Sequence, residues 1–336
     1  MVNICYNVIM STKKTLLSGV KPSGRPHIGN YFGAMKQFVD MQDDYNSMYM
    51  VADYHALNLI QDKETLKQSI IDLTLDYLAI GLDPKKSIIF KQSDVAEHTE
   101  LAWIFDTFTT MPYLMRAHAY KDAEVKDKEI SVGTFNYPML MAADILVYDA
   151  DVVPVGQDQK QHVEYARDTA QKFNYIFKQE VFKLPESKIL DTVAVVPGTD
   201  GQKMSKSYGN TIELFATLDE ITKAVMSIVT DSKPIDEPRN PDEDNVFKLH
   251  KLFSKEDELF DLREKYRKGG ISHRESKELL IKNIEAFIKP LRDKREQLAG
   301  DTEYVLDVLK EGGKRAKLKA ERKMEQIREA IGVKLY

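Results

Sequence analysis

Over the first two-thirds of the chain, short apolar runs alternate with segments of helical periodicity, and that alternation admits few folds. Residues 15–18 read as a strand running into a Gly/Pro turn, Gly19-Val20-Lys21-Pro22-Ser23-Gly24. Residues 47–52 are a second apolar run, ending at Asp53. Leu66, Ile70, Leu73 and Tyr77 recur at helical spacing, and Gly81 and Pro84 stop that helix. Residues 87–90 form a third strand and residues 152–155 a fourth, closed by Gly156. Val163, Ala166, Ala170 and Phe173 then mark one face of a helix. Strands that alternate with helices in this way pair in parallel, so the spacing predicts an α/β fold with a Rossmann-type parallel sheet.

The chain has 336 residues, too many for one compact core, which predicts two domains. Residues 97–149 look mostly helical and would be a helical insertion in the sheet. Strand signals fade past Asn210. Residues 232–244, with Pro234, Pro238 and Pro241, read as a surface loop or linker. From Asn245 onward the pattern is helical. Leu280, Ile284, Phe287 and Leu291 make one stripe, and Gly312-Gly313 is expected to separate the final helix. The expected plan is a leader over 1–14, a Rossmann domain over 15–210 and an all-helical C-terminal domain over 211–336.

Composition narrows the class further. Hydrophobic residues make up 43% and charged residues 30%, and no apolar run is long enough for a bilayer. Cys5 is the single cysteine, which excludes a disulfide framework and fits a reducing compartment such as the cytoplasm. With a net charge of −5, a nucleic-acid partner would need a local basic face. Residues 1–9 lack the basic start and cleavage site of a signal peptide and read as a short leader or the product of an upstream start codon.

Two segments carry chemistry. The first, Lys21-Pro22-Ser23-Gly24-Arg25-Pro26-His27-Ile28-Gly29-Asn30, follows the first strand directly. Amides at a helix start bind phosphate through unpaired donors and the helix dipole. Gly24 and Gly29 permit close approach of a ligand, and His27 and Asn30 can hydrogen-bond phosphate oxygens without fixed charge. Alone, the string is equally well a Gly/Pro turn with a helix cap. The second, Lys203-Met204-Ser205-Lys206-Ser207, lies between Gly201 and Gly209. Two lysines on a Gly-flanked loop suit a polyphosphate and can neutralise charge that grows in a transition state. A lone Lys-x-x-Lys would be only a solvated basic loop. The remaining histidines, His98, His118, His162, His250 and His273, have no zinc spacing, so no metal site is expected.

Together the two segments resemble the signatures of class I aminoacyl-tRNA synthetases, with His27-Ile28-Gly29-Asn30 in the first position. Three more strings are similar to the bacterial tryptophanyl branch of that family: Asp53-Tyr54-His55-Ala56-Leu57, residues 137–146 (YPMLMAADIL) and residues 153–162 (VPVGQDQKQH). The likeness runs from residue 15 to about residue 255 and continues weakly beyond.

That resemblance implies ATP-dependent activation of L-tryptophan, followed by transfer to tRNA(Trp). Lys203, Lys206, His27 and Asn30 would be catalytic. Lys21, Pro22, Ser23, Gly29, Asn30, Gly156, Gln157, Asp158, Val195, Lys203, Met204, Ser205, Lys206 and Ser207 would hold ATP, with Mg²⁺ on its phosphates. Asp144 would accept the indole N–H, a donor-only group, within a site completed by Gly19, His55, Tyr137, Met141, Val153, Val155 and Gln159. The Rossmann domain would be catalytic, and residues 211–336 would read the anticodon. There, Lys310, Lys314, Arg315, Lys317, Lys319, Arg322 and Lys323 could meet phosphates or form a solvated face. A homodimer is implied as well.

The chain departs from the family pattern at Lys21, Leu17, Gln157 and Ala123. On that resemblance Lys21 would supply the charge near ATP that position 123 lacks. Tyrosyl-tRNA synthetase shares the fold and the signatures. A non-catalytic paralogue that senses tryptophan or tRNA is a further reading, although it would have no use for the two signature lysines.

Overall fold

A computed structural model describes residues 13–117, 120–121, 124, 129–156, 160–189 and 196–336. Cys5 and most of the expected leader, together with Ala123, Gln157, Asp158, Gln159 and Val195, lie outside the described residues.

Five strands, β1 (Thr15–Val20), β2 (Asn46–Val51), β3 (Ile88–Lys91), β4 (Val152–Val155) and β5 (Glu186–Ile189), form a wholly parallel sheet in the order β3-β2-β1-β4-β5. Strand alternation sorts their side chains. Leu17, Met48, Met50, Ile88, Phe90 and Val153 enter one core, while Leu16, Tyr49, Val51 and Ile89 enter the other. Both faces are therefore covered by helices, as a parallel sheet requires.

After β1, α1 (Ile28–Asn30) passes through a π-helical stretch, Tyr31–Met35, into α2 (Lys36–Met41). Next come α3 (Asp53–Ala56) and α4 (Lys63–Ile80), then α5 (Glu97–Asp106), α6 (Met111–Leu114), α7 (Val132–Leu146) and α8 (Lys160–Phe177). The α4 helix starts where the Asp62 side chain accepts from Thr65 N at 2.9 Å and stops at Gly81, whose φ of 111° suits glycine. The C-terminal region is helical: α9 (Leu218–Met226), α10 (Asn245–Phe253), α11 (Glu256–Lys268), α12 (His273–Ala299) and α13 (Thr302–Ala330).

Three expectations need correction. β1 runs through Gly19 and Val20, which the sequence assigns to the turn, because they pair with Met50 and Val51 of β2. β5 carries no apolar alternation; it is an edge strand paired only with β4, where polar residues are tolerated. Gly312-Gly313 does not separate helices, since both glycines lie inside α13. A Cβ on Gly312 would stand 1.8 Å from the carbonyl oxygen of Ile89, so the glycines seat α13 against β3. The final break falls at Gly300-Asp301, where Asp301 caps α13 by accepting from Tyr304 N at 3.0 Å.

Ala316, Ala320, Met324 and Ile327 of α13 join the core beneath the sheet. Arg295 of α12 binds Asp76 and Asp72 of α4 at 2.6 and 2.8 Å. Among the described residues, no helix is long and apolar enough to cross a membrane.

Candidate active site

Strand order reverses between β1 and β4, and open α/β sheets bind ligands outside the strand ends at such a point. The first signature leaves β1 there, and Gly156 leaves β4. His27 is the N-cap of α1: its Nδ1 accepts from Asn30 N at 3.3 Å, while its own N–H donates to Asn30 Oδ1 at 3.1 Å. Because Nδ1 accepts, the ring proton sits on Nε2, which is the nitrogen left to donate to a ligand. Burial, aided by the charge of Lys206, lowers the pKa of His27 from 6.5 to about 4, so the ring is neutral at pH 7.

The second signature lies against the first. Ile28 N donates to Ile212 O and Leu214 N donates to Pro26 O, each at 2.9 Å. Lys206 Nζ donates to the backbone oxygen of Ser23 at 3.2 Å. A Cβ on Gly29 would meet His27 Nδ1 at 2.8 Å and Met204 Cβ at 3.4 Å, so a side chain there would press on the capping imidazole and touch the second segment. Desolvation lowers the pKa of Lys206, opposed by the charges of Glu213 and Asp76. Lys203, Ser207 and Lys21 are exposed, Ser205 Oγ bonds Ser207 Oγ at 2.9 Å, and Pro22 is buried.

Asn210, which the sequence reading passes over, braces this loop. Its Oδ1 accepts from Ser205 N at 2.8 Å. Its Nδ2 donates to Asp200 Oδ1 at 2.7 Å and to Lys203 O at 3.2 Å. An Asn beside Gly209 looks like a turn residue, so the sequence carries little signal for this role.

Asp144, near the end of α7, is buried and ionised. Its Oδ2 accepts from His55 Nε2 at 2.9 Å, its Oδ1 from His98 Nδ1 at 2.5 Å, and both accept from Gln92 Nε2 at 2.8 and 3.0 Å. Burial alone would raise its pKa, but His98 and His55 together outweigh it and hold the carboxyl well below the usual range. The structure thus brings His55, Gln92 and His98 onto Asp144. One available signal was the position of Gln92 immediately after β3, at a strand's carboxyl end.

Tyr137 lies beside this group, its ring centroid 6.1 Å from that of His55 and its hydroxyl 2.5 Å from His162 Nε2. Met141 packs on the core, Val153 and Val155 are buried in β4, and Gly19 is exposed near the end of β1. Among the described residues, no group of three His, Cys, Asp or Glu side chains is placed to hold a metal.

A doubly covered parallel sheet, with a His-Ile-Gly-Asn turn and a Lys-Met-Ser-Lys-Ser loop docked over its switch point, defines a class I aminoacyl-tRNA synthetase. Residues 11–289 match the model of the family described as tRNA synthetases class I (W and Y), and the chain belongs to that family. It is 52% identical to a tryptophan–tRNA ligase of Fusobacterium nucleatum, over 95% of this chain and 98% of that one. It is 46% identical to a tryptophan–tRNA ligase of Rhodopirellula baltica, over 95% and 99%. A solved tryptophanyl-tRNA synthetase of Campylobacter jejuni, complexed with ADP and tryptophan, superposes with a TM-score of 0.90 at 45% identity, covering 95% of this chain and 99% of that one.

Proposed function

We propose that this chain is a tryptophan–tRNA ligase that activates L-tryptophan with MgATP and then loads tRNA(Trp). The tryptophan carboxylate attacks the α-phosphorus, the bond to the bridging oxygen of the β-phosphate breaks, and pyrophosphate leaves. A hydroxyl of the tRNA's terminal ribose next attacks the adenylate carbonyl and AMP leaves. The first nucleophile is already ionised, so alignment and charge stabilisation make up most of the catalysis.

The contact between Lys206 and Ser23 carries this reading, because it brings an ammonium to the turn that would cradle a nucleotide. Lys203 and Lys206 would grip the departing phosphates. The Nε2–H of His27 and the amide nitrogen of Asn30 would donate to ATP, beside Lys21, Pro22, Ser23 and Gly29. Met204, Ser205 and Ser207 would line the phosphates, Gly156, Gln157 and Asp158 the ribose, and Val195 would complete the nucleotide contacts. Mg²⁺ enters with the substrate, because it favours phosphate oxygens over an all-protein cage.

Asp144 would accept the indole N–H. Tyr137, Met141, Val153, Val155, Gly19, His55 and Gln159 would surround the ring. Residues 15–210 would form the catalytic unit and residues 211–336 the anticodon-reading one, in a cytoplasmic homodimer. For tRNA phosphates the basic run is narrower than it looks. Lys323 is buried against Asp149 at 2.6 Å, and Arg315 donates to Pro84 O at 3.2 Å. Lys310, Lys314, Lys317, Lys319 and Arg322 remain as candidates.

Pyrophosphate exchange with tryptophan, tyrosine and phenylalanine tests the assignment. Exchange should depend on tryptophan alone. Tyrosine-dependent exchange without tryptophan-dependent exchange would transfer the chain to the tyrosyl branch. Tryptophan binding without any adenylate would make it a sensor.

A further inference from the structure

The carboxylate of Asp144 has a front and a back. At the front, His55 is 9% exposed and neighbours Tyr137. At the back, Gln92 and His98 are wholly buried, and Tyr148 places its hydroxyl 2.8 Å from His98 Nε2. Gln92 cannot turn its amide over, because its Oε1 already accepts from His55 N at 3.4 Å, so Nε2 faces the carboxylate.

We propose that Tyr148, His98 and Gln92 are positioning residues that keep Asp144 a pure hydrogen-bond acceptor and thereby set the site's selection for a ring N–H donor. The proposal rests on the reading that Asp144 receives the indole N–H. A neutral imidazole has one ring proton to place. The Tyr148 hydroxyl, donating to Nε2, sends that proton to Nδ1 and so towards Asp144 Oδ1. Burial, with Asp144 and Glu97 nearby, raises the pKa of Tyr148 well above its ordinary value, so the hydroxyl keeps its proton.

Without that hydroxyl, His98 is free to carry its proton on Nε2 and to turn a lone pair on Oδ1. Two lone pairs in contact repel, so His98 would retreat from Oδ1 and leave the carboxylate with one buried donor fewer. A carboxylate stripped of that donor is less firmly fixed as an acceptor for an incoming N–H. The titratable groups around it are His55 from α3, His98 and Glu97 from α5, and Tyr148 just past α7.

The test compares Tyr148→Phe, His98→Leu, His98→Asn and Asp144→Asn in the full chain. Pyrophosphate exchange gives KM for tryptophan, KM for ATP, and the kcat/KM ratio of tryptophan over an analogue with sulfur in place of the ring N–H. Loss of the His98 donor to the Asp144 carboxylate, direct in His98→Leu and through the released His98 tautomer in Tyr148→Phe, predicts that both raise KM for tryptophan roughly 10–100-fold and narrow the ratio to match. KM for ATP should stay near wild type. His98→Asn, which keeps a donor facing Oδ1, should recover most of the ratio.

A merely structural role would lower the melting temperature without changing the ratio. Folded Tyr148→Phe that rejects the sulfur analogue as strongly as wild type overturns the proposal, whether or not His98→Leu folds. If Asp144→Asn itself leaves the ratio unchanged, the underlying reading of Asp144 fails instead.

Discussion

Lys206 and Ser23, 183 residues apart in sequence, meet through a 3.2 Å hydrogen bond from the lysine ammonium to the backbone oxygen of the serine. This bond closes the signature loop over the turn after β1. It is also an exchangeable bond, because an ammonium prefers a phosphate oxygen to a neutral carbonyl. A triphosphate entering the turn would take Lys206 from Ser23 without requiring the loop to travel far.

Lys206→Ala should therefore slow adenylate formation far more than it weakens tryptophan binding. Removal of one preorganised charge contact typically costs about 10²–10³ in kcat. KM for tryptophan should change little, because Asp144 and its partners are held by other elements. Single-turnover adenylate formation and equilibrium tryptophan binding separate the two quantities. Comparable losses in both would contradict the role given to Lys206.

The sheet was legible in the sequence because strands buried on both faces read as apolar runs, as at Met48–Val51 and Val152–Val155. β5 was not, because Glu186–Ile189 is an edge strand with no such run. The signature strings were legible as chemistry. Their support was hidden, because it is made by contacts distant in sequence: Gln92 and His98 reach Asp144 over 52 and 46 positions. The Gly312-Gly313 pair misled for a related reason. A glycine pair has the same sequence signature whether it ends a helix or admits a neighbouring backbone, and only the position of Ile89 decides.

Asn210→Ala should loosen the loop while leaving tryptophan recognition intact. The change strips partners from Ser205 N, Lys203 O and Asp200, at a cost of about 1–3 kcal/mol for groups left unsatisfied. Misplacement of the two lysines should lower the adenylation rate roughly 10–100-fold with KM for tryptophan steady. Asn210→Asp should do no better: it keeps the acceptor for Ser205 N but loses both donor bonds and sets a second carboxylate beside Asp200. Pre-steady-state kinetics would check this, and an Asn210→Ala rate equal to wild type would show that the loop holds its shape without the brace.

The His27 ring gives a pH signature. Its folded-state pKa is depressed to about 4 against an ordinary value of 6.5. Above 6.5 both folded and unfolded chains hold the ring neutral, and its contribution to stability is complete. Below 6.5 the unfolded chain takes up a proton that the folded chain refuses, so stability drains away as pH falls towards 4. One proton contributes a slope of at most about 1.4 kcal/mol per pH unit. His27→Asn should remove that slope while keeping a polar cap. Urea midpoints of both proteins at several pH values between 7.5 and 4 would show the wild type losing more. Parallel curves would mean that the imidazole is not held neutral.

Substitutions in the glycine pair of α13 test how its helix sits on the sheet. Alanine in a helix interior normally gains roughly 0.5–1 kcal/mol over glycine. At Gly312 that gain meets the backbone of Ile89, with oxygen at 1.8 Å and carbon at 2.7 Å from the new Cβ. β3 is an edge strand, but its pairing with β2 holds the Ile89 backbone in place, so α13 would have to lift off β3 and loosen the packing of Ala316, Met324 and Ile327. Overpacking of this kind costs about 1–3 kcal/mol, which exceeds the helical gain, so Gly312→Ala should be destabilising. Gly313→Ala meets the Asp94 side chain instead, with Oδ2 at 2.9 Å and Cβ at 3.0 Å; the carboxylate can turn, and the Cβ contact asks for a shift of only a few tenths of an ångström. There the two effects nearly cancel, and stability should stay within about 1 kcal/mol of wild type. Urea unfolding of both variants decides the matter: a Gly312→Ala protein as stable as wild type would mean that α13 does not rest on Ile89.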